Sequence, residues 1–195
     1  VVTHASMALA NVIRMNKKGD SEFVAENLEI IMPRTFLKGT NAEAYNWFFF
    51  VTAEIEAAYA QSIYLIGSAL FHGSTEEGKR AMDGAFLAII ESCEKTKLLM
   101  RKYRANLPPA TFYNEIRSCL WGYDQNPKGL TFEGEQGAMK YRGASASETS
   151  SLQVIDAFLD VQHTVGQRQF IVANRDFMPR GHKMFIEYVE VNFYV

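Results

Sequence analysis

Residues 42–70 read AEAYNWFFFVTAEIEAAYAQSIYLIGSAL, which is the longest run of helical pattern in the chain. Around residues 48–51 the run is apolar on most sides. A helix that is hydrophobic all round is a buried helix. We therefore predict one long helix over 42–70, ended by Gly73, at the centre of the fold.

The segments on both sides of this central helix also have the helical period. Ser74 and Glu77 have the Ser-x-x-Glu spacing of a capping box, which predicts a second long helix that extends to about Tyr103. A short helix over 111–120 is closed by Gly122. Further helices are predicted over residues 5–15, 21–30, 149–163, 167–177 and 182–191. No period-2 pattern competes with them, so the expected fold is all-α.

Residues 122–150 form the long stretch without helical pattern, with five glycines and one proline. A loop of that length in a compact helical protein is usually functional or mobile. It ends in the small-residue run 143–147, Gly-Ala-Ser-Ala-Ser. This run is not a nucleotide phosphate loop, because it lacks the Gly-Lys-Ser/Thr ending and no strand precedes it. Small residues there indicate either close approach of the backbone to a ligand or a flexible helix entry, and both interpretations remain open.

Composition narrows the class of protein. The chain has 195 residues, of which 48% are hydrophobic and 22% charged, and its formal net charge is -2. That is enough for a substantial core, and the charge balance gives no basic surplus for nucleic acid. Cys93 and Cys119 have no metal-ligand spacing, which favours a reduced, cytoplasmic compartment. No apolar run reaches the roughly 18–20 residues that a membrane span needs.

Phe112, Tyr113 and Arg117 are the first candidate site residues. Tyr113 and Arg117 are four positions apart, so they share a helical face. An arginine offers a rigid fork of donors for a carboxylate, and aromatic rings offer flat apolar walls, a combination that suits an aromatic amino acid. Spacing alone favours the ordinary alternative, which is a core Phe, a half-exposed Tyr and a surface Arg.

Two further residues, Thr52 and Asp156, have two interpretations each. Thr52 lies one turn after Phe48, and a hydroxyl in a buried helix commonly bonds the carbonyl four residues before it. The same spacing also permits Phe48 and Thr52 to face one cavity. Asp156 lies beside apolar positions, where an acid usually has a cationic partner, unless it marks the polar border of its helix. None of the four histidines has zinc-ligand spacing.

A series of short motifs runs in order through the chain: ALAN (8–11), FVAENLE (23–29), WFF (47–49), EIEA (54–57), FYNEIR (112–117), WG (121–122), GLTFEG (129–134), YRGASA (141–146), DAFL (156–159) and RDFMPRGH (175–182). In this order and spacing the chain resembles the indoleamine 2,3-dioxygenases, which are haem enzymes. The resemblance implies an all-α bundle around a haem b pocket. Residues 1–40 would be the C-terminal part of a small helical domain and a linker, and residues 41–195 a large catalytic domain.

The resemblance also implies a reaction, in which L-tryptophan and O2 give N-formylkynurenine on a monomeric protein. Ala144, Ser147 and Glu148 depart from the family's usual loop residues, which leaves loop mobility and substrate fit open. The family's axial histidine is expected beyond Val195, so that we expect weak or no haem-dependent activity from this chain alone. The alternatives are a helical protein that binds haem or an indole without turnover, and a helical interaction module with no small ligand.

Residue roles follow from the same resemblance. Phe112 and Tyr113 would line the indole site, and Arg117 would hold the substrate carboxylate. Thr52 stands where the family usually has Ser and the related tryptophan 2,3-dioxygenases have His, which argues against a catalytic acid or base. By the same resemblance, Phe48 and Thr52 would face the distal side of the haem, and His4 and Met7 would border the outer pocket. Gly143, Ser145 and Ala146 would contact haem or substrate. Asp156 would help to hold an Arg near the haem propionates.

Overall fold

The computed structural model describes residues 4–15, 23–30, 42–120, 122, 126–134, 137–140 and 143–193, and this part of the chain is mostly helical. The α-helices are α1 (Ala42–Ala58), α2 (Ala60–His72), α3 (Glu76–Asn106), α4 (Pro109–Thr111), α5 (Arg117–Leu120), α6 (Ser150–Phe158), α7 (Val165–Asn174) and α8 (Arg180–Asn192). A π-helix, Phe112–Ile116, joins α4 to α5, so that residues 109–120 are helical throughout. The all-α prediction is confirmed at the level of fold class.

Two apolar clusters hold these helices together. The larger one lies where α2, α3, α6 and α8 meet, and its most buried members include Ile66, Ala85, Ile186 and Val189. The smaller one joins α1 to the end of α3 and to residues 109–120, through Ala44, Tyr45, Leu107 and Ile116. Phe48 and Phe112 pack against the smaller cluster, and this places it beside the candidate site.

The predicted central helix over 42–70 is divided into α1 and α2 at Tyr59. The Ala58 carbonyl accepts a hydrogen bond from the Ser92 hydroxyl of α3, with an O···O distance of 2.7 Å. A side chain that bonds a helix carbonyl competes with the helical ladder, and this contact lies at the break. The burial predicted around residues 48–51 is confirmed in α1, where Phe49, Val51 and Ala53 are all less than 5% exposed, but Tyr64 of α2 is 69% exposed.

Helix α3 begins at a different residue from the predicted one. Thr75, not Ser74, is the N-cap, and its hydroxyl accepts from the Gly78 N–H at 3.1 Å. A Cβ on Gly78 would lie 2.0 Å from the Gly73 carbonyl oxygen, so this close turn requires glycine there. Gly73 ends α2 in a left-handed conformation with φ of 55°, as predicted.

The helix predicted over 5–15 is confirmed only for its first residues, and the helix predicted over 21–30 is wrong over its described residues. A π-helix, Ala5–Leu9, is followed by strand β1 (Val12–Arg14), which pairs antiparallel with β2 (Leu28–Ile30). A 3-10 turn, Ala25–Asn27, precedes β2. β-Branched residues at the strand positions favour extended backbone, and a period of 3.6 cannot be told from a period of 2 over so few residues.

The later helices differ from prediction at their ends. Helix α6 stops at Phe158 instead of reaching residue 163, and Asp160 has a left-handed φ of 52°. Thr164 and Gln167 then form a capping box that opens α7. Leu130 and Met139 form an isolated antiparallel bridge within the long loop. The predicted domain boundary near residue 40 lies outside the described residues. None of the described helices combines the length and the hydropathy that a bilayer span requires.

Candidate functional site: an apolar cavity with one polar end

A cavity of about 420 Å3 lies between α1, α3, residues 109–120 and the start of α6. We call it the inner cavity. Its walls are mostly apolar, with hydroxyl groups and one acid–histidine pair among them. The lining residues are His4, Ala8, Phe48, Phe49, Thr52, Ile55, Glu56, Thr96, Met100, Phe112, Leu120, Ala144, Ser145, Ala146, Thr149 and Leu152. Its volume is within the range of roughly 300–1,000 Å3 that small-molecule sites occupy.

The aromatic end of the inner cavity is built by α1 and residues 109–120. The Phe48 and Phe112 ring centroids lie 5.7 Å apart, and Phe49 meets the Phe48 ring edge-on at 5.3 Å. The Thr52 hydroxyl donates to the Phe48 carbonyl at 2.6 Å. Both interpretations of Thr52 therefore hold at once, because the residue bonds back to its own helix and also lines the cavity beside Phe48.

Residues 143–148 form another wall. Ser145 and Glu148 make a capping box around the 3-10 turn Ala146–Glu148: the Ser145 hydroxyl accepts from the Ser147 N–H, and the Glu148 carboxylate accepts from the Ser145 N–H at 3.1 Å. Ser145 and Ala146 line the cavity. The segment is therefore a helix entry whose residues border the cavity, and the choice between close approach to a ligand and flexibility stays open. Gly143, the first residue of this segment, is half-buried and is not among the residues that line the cavity.

The polar end joins parts of the chain that are far apart in sequence. His4 Nε2 lies 2.7 Å from Glu56 Oε1, and the Ser151 hydroxyl donates to Glu56 Oε2 at 2.5 Å. The His4 backbone N–H donates to Glu148 Oε2 at 2.7 Å. Burial raises the pKa of the Glu148 carboxyl above 4.5, against the opposing effect of the two backbone N–H groups that it accepts from. This end is a closed hydrogen-bond network with little water access.

Sequence reasoning found His4 at this end but missed Glu56, Glu148 and Ser151. The separations between bonded partners are 52, 95 and 144 residues, and no local period carries such pairing. One signal was available. Two acids, Glu54 and Glu56, lie within an otherwise apolar central helix, and a buried acid requires a partner. Thr96 and Met100, the contributions of α3, were also missed.

Tyr113 and Arg117 lie outside the inner cavity. The Tyr113 side chain is 65% exposed, and the Arg117 guanidinium carbon lies 5.6 Å from its ring centroid. They share a face, as their spacing predicts, but that face is turned outward while Phe112 points inward. In the free protein their position is therefore that of the ordinary alternative, in which the tyrosine is half-exposed and the arginine lies on the surface.

Asp156 and Met7 complete the predicted set. Asp156 Oδ2 lies 3.1 Å from His163 Nε2, at the edge of a separate polar cleft that also contains Arg175. Arg175 bonds Glu190 and Gln153, so among the described residues Asp156 is paired with a histidine and not with an arginine. Met7 lies in the π-helix Ala5–Leu9, and its side chain lies outside the described part of the structure.

The lining residues fit one side of a flat, largely apolar group such as haem. Phe48 and Phe112 give aromatic walls, and the capped turn at Ser145–Ala146 gives a backbone edge that small side chains leave accessible. Within the described ranges no three His, Cys, Asp or Glu side chains are grouped to hold a metal ion. His4, the one histidine of the cavity, has its Nε2 engaged by Glu56. The chemistry of these residues is therefore that of a binding wall.

The whole chain is similar in sequence to one family of known proteins. The profile of the family described as indoleamine 2,3-dioxygenase matches residues 1–195. Indoleamine 2,3-dioxygenase 1 of Rattus norvegicus is 30% identical over 200 residues, which cover 97% of this chain and 46% of the rat protein. Indoleamine 2,3-dioxygenase 2 of Homo sapiens is 30% identical over 194 residues, which cover 96% of this chain and 45% of the human protein. A protein named myoglobin from Haliotis madaka is 28% identical over 145 residues, which cover 72% of this chain and 38% of the Haliotis protein. The chain spans just under half the length of the dioxygenases it matches.

Proposed function

Because this chain belongs to the indoleamine 2,3-dioxygenase family, we propose that the protein opens the indole ring of L-tryptophan with O2 to give N-formylkynurenine, with haem b as cofactor. The observation that carries the proposal is the inner cavity. Among the residues that line it are His4, Phe48, Thr52, Phe112, Ser145 and Ala146. The resemblance to the family implies a place in the pocket for each of these six residues.

The residues of the cavity bind and orient. When bound, haem supplies the oxygen chemistry that no amino-acid side chain provides. Ser145, Ala146 and Gly143 would hold its edge, and Phe48 would face its distal side. Phe112 gives the indole a flat apolar neighbour and helps to keep water out. Holding the ring in one reactive orientation lowers the entropic part of the barrier.

Thr52 supports a mechanism without a protein acid or base on the distal side. Its hydroxyl proton is already donated to the Phe48 carbonyl at 2.6 Å, so the residue has no free proton to transfer. Glu56 is held by both His4 and Ser151. We propose that neither residue moves a proton during turnover, and that both shape the cavity.

Arg117 is proposed to hold the substrate carboxylate at the mouth of the cavity. Two observations support this role: its side chain is exposed, and it lies on the same helical segment as Phe112. A guanidinium is suited to bidentate contact with a carboxylate, and stacking over Tyr113 restricts its conformations. The indole ring would then occupy the cavity while the amino-acid part stays near the surface.

The test is turnover by the whole protein reconstituted with haem, followed by the appearance of N-formylkynurenine. Arg117→Ala is expected to lower kcat/KM by about 100-fold, since it removes a charge-assisted bidentate contact. Arg80→Ala, which removes a distant exposed cation of α3, is the matched control and should have no effect. Binding of haem and tryptophan without product would assign the cavity to a non-catalytic binding protein. Normal turnover in Arg117→Ala would remove that residue from the site.

A further inference from the structure

A second hollow, of about 710 Å3, lies on the outer side of the inner cavity's wall. We call it the outer groove, and its main lining residues are Met100, Arg101, Arg104, Leu107, Phe112 and Tyr113. Met100 and Phe112 line both hollows. The two spaces are therefore neighbours, separated by one thioether side chain and one aromatic ring.

The groove carries cations along one side. Lys97, Arg101 and Arg104 follow one another at spacings of four and three on α3, so they form a single stripe. Lys97 is paired with Glu94 at 3.1 Å. Within the described residues, neither Arg101 nor Arg104 has a carboxylate partner, and both are exposed. Two guanidinium groups therefore line the groove, and no carboxylate of the described residues is paired with either of them.

The other side of the groove is apolar and aromatic. Leu107 is 2% exposed and forms part of its floor, whereas the Tyr113 ring is 65% exposed at its rim. The Tyr103 ring lies 6.3 Å from that of Phe48, and burial raises the pKa of Tyr103 to about 12. Its phenol is therefore neutral at physiological pH and does not repel an anion.

We propose that the outer groove is a second binding site, which takes a small aromatic carboxylate. The ring would lie against Tyr113, Leu107 and Phe112, and the carboxylate would meet Arg101 and Arg104. Charge complementarity selects an anion over a neutral indole or an amine. The proposal goes beyond the proposed reaction, because occupancy of this groove requires neither haem nor turnover.

The first experiment measures binding of indole-3-propionate to the whole protein by calorimetry. The double variant Arg101→Glu/Arg104→Glu should weaken binding by about tenfold or more, since two charge-assisted contacts become repulsive. Arg80→Glu/Lys95→Glu makes the same change in net charge elsewhere on α3 and should leave binding unchanged. The neutral analogue 3-methylindole should bind equally to all three proteins. Equal affinities of indole-3-propionate for the wild type and the Arg101/Arg104 variant would overturn the proposal.

The second experiment separates the outer groove from the inner cavity. Thr52→Phe places a ring inside the inner cavity. If this variant fails to fold, Ala146→Leu, which adds a larger apolar side chain at another lining position, takes its place. Binding of indole-3-propionate that survives either variant, and still depends on Arg101 and Arg104, supports the outer site. Loss of all binding on filling the inner cavity would assign the probe to that cavity alone. Because no turnover is measured, failure of the dioxygenase proposal would leave this result unaffected.

Discussion

The two ends of the inner cavity are built in different ways. At the aromatic end, Phe48 and Phe112 meet through ring contacts at 5.7 Å, on helices whose own pattern places them there. At the polar end, His4 and Glu56 meet through a 2.7 Å contact between segments 52 residues apart. Dispersion contacts are individually small and can be lost gradually. A buried ionisable group without its partner costs its full desolvation energy. We therefore expect substitutions at the polar end to lower the free energy of unfolding more than substitutions at the aromatic end.

The largest effect is expected from Glu56→Ala. The substitution leaves His4 and Ser151 without their shared acceptor in a nearly dry site. Breaking a buried pair in this way costs about 3–5 kcal/mol. Denaturant unfolding followed by circular dichroism measures the loss, and Glu91→Ala, at an exposed position of α3, is the matched control. A loss below about 1 kcal/mol, as at ordinary surface sites, would show that the network is incidental.

Phe112→Ala tests the aromatic end and should cost less. Phe112 is only half-buried, so the loss of its ring contacts is expected to lower the free energy of unfolding by about 2 kcal/mol. Tyr113→Ala removes a neighbouring exposed ring and should change stability by no more than about 0.5 kcal/mol. The same denaturation measurement compares the pair. If the Tyr113 variant were the less stable of the two, the inward and outward assignments of these rings would be reversed.

The pH dependence of stability gives a finer test of the polar end. Because burial raises the pKa of Glu148 above 4.5, the folded protein retains this proton to higher pH than the unfolded chain. The contribution of Glu148 to stability is therefore present below pH 4.5 and is lost as pH rises through the folded-state pKa.

Glu148→Gln removes this titration and keeps a side chain of similar size. Urea midpoints measured from about pH 4 to 7 should fall less steeply for the variant than for the wild type. Glu133→Gln, at an exposed loop position, is the control and should follow the wild-type slope. Parallel slopes for the wild type and the Glu148 variant would mean that the carboxyl is not proton-linked to folding.

The contrast between the two ends also explains what the sequence could predict. Phe48 and Thr52 share a wall because i, i+4 spacing on a helix fixes their direction, and one sequence contains that information. The partners of Glu56 and Glu148 lie far away along the chain, so no local pattern identifies them. Among the described residues, the short strands Val12–Arg14 and Leu28–Ile30 escaped prediction because three residues are too few to define a period. Arg117 was placed on the correct helical face, but which way that face turns depends on how the helix packs.

The smallest effect is expected from Thr52→Val, at the aromatic end of the inner cavity. The Thr52 hydroxyl donates to a carbonyl of its own helix, and that carbonyl also lies within the helical ladder. Loss of the hydroxyl should therefore change the free energy of unfolding by no more than about 0.5 kcal/mol. If the residue transfers no proton, turnover by the haem-loaded protein should stay within about threefold of the wild type. Thr52→Ser, which keeps the hydroxyl and loses the methyl group, is the matched control. The contrary result is a large loss of turnover in the valine variant together with normal turnover in the serine variant. It would show that the hydroxyl oxygen acts on the substrate. Chemistry would then take place at an end of the cavity that we describe as a packing surface.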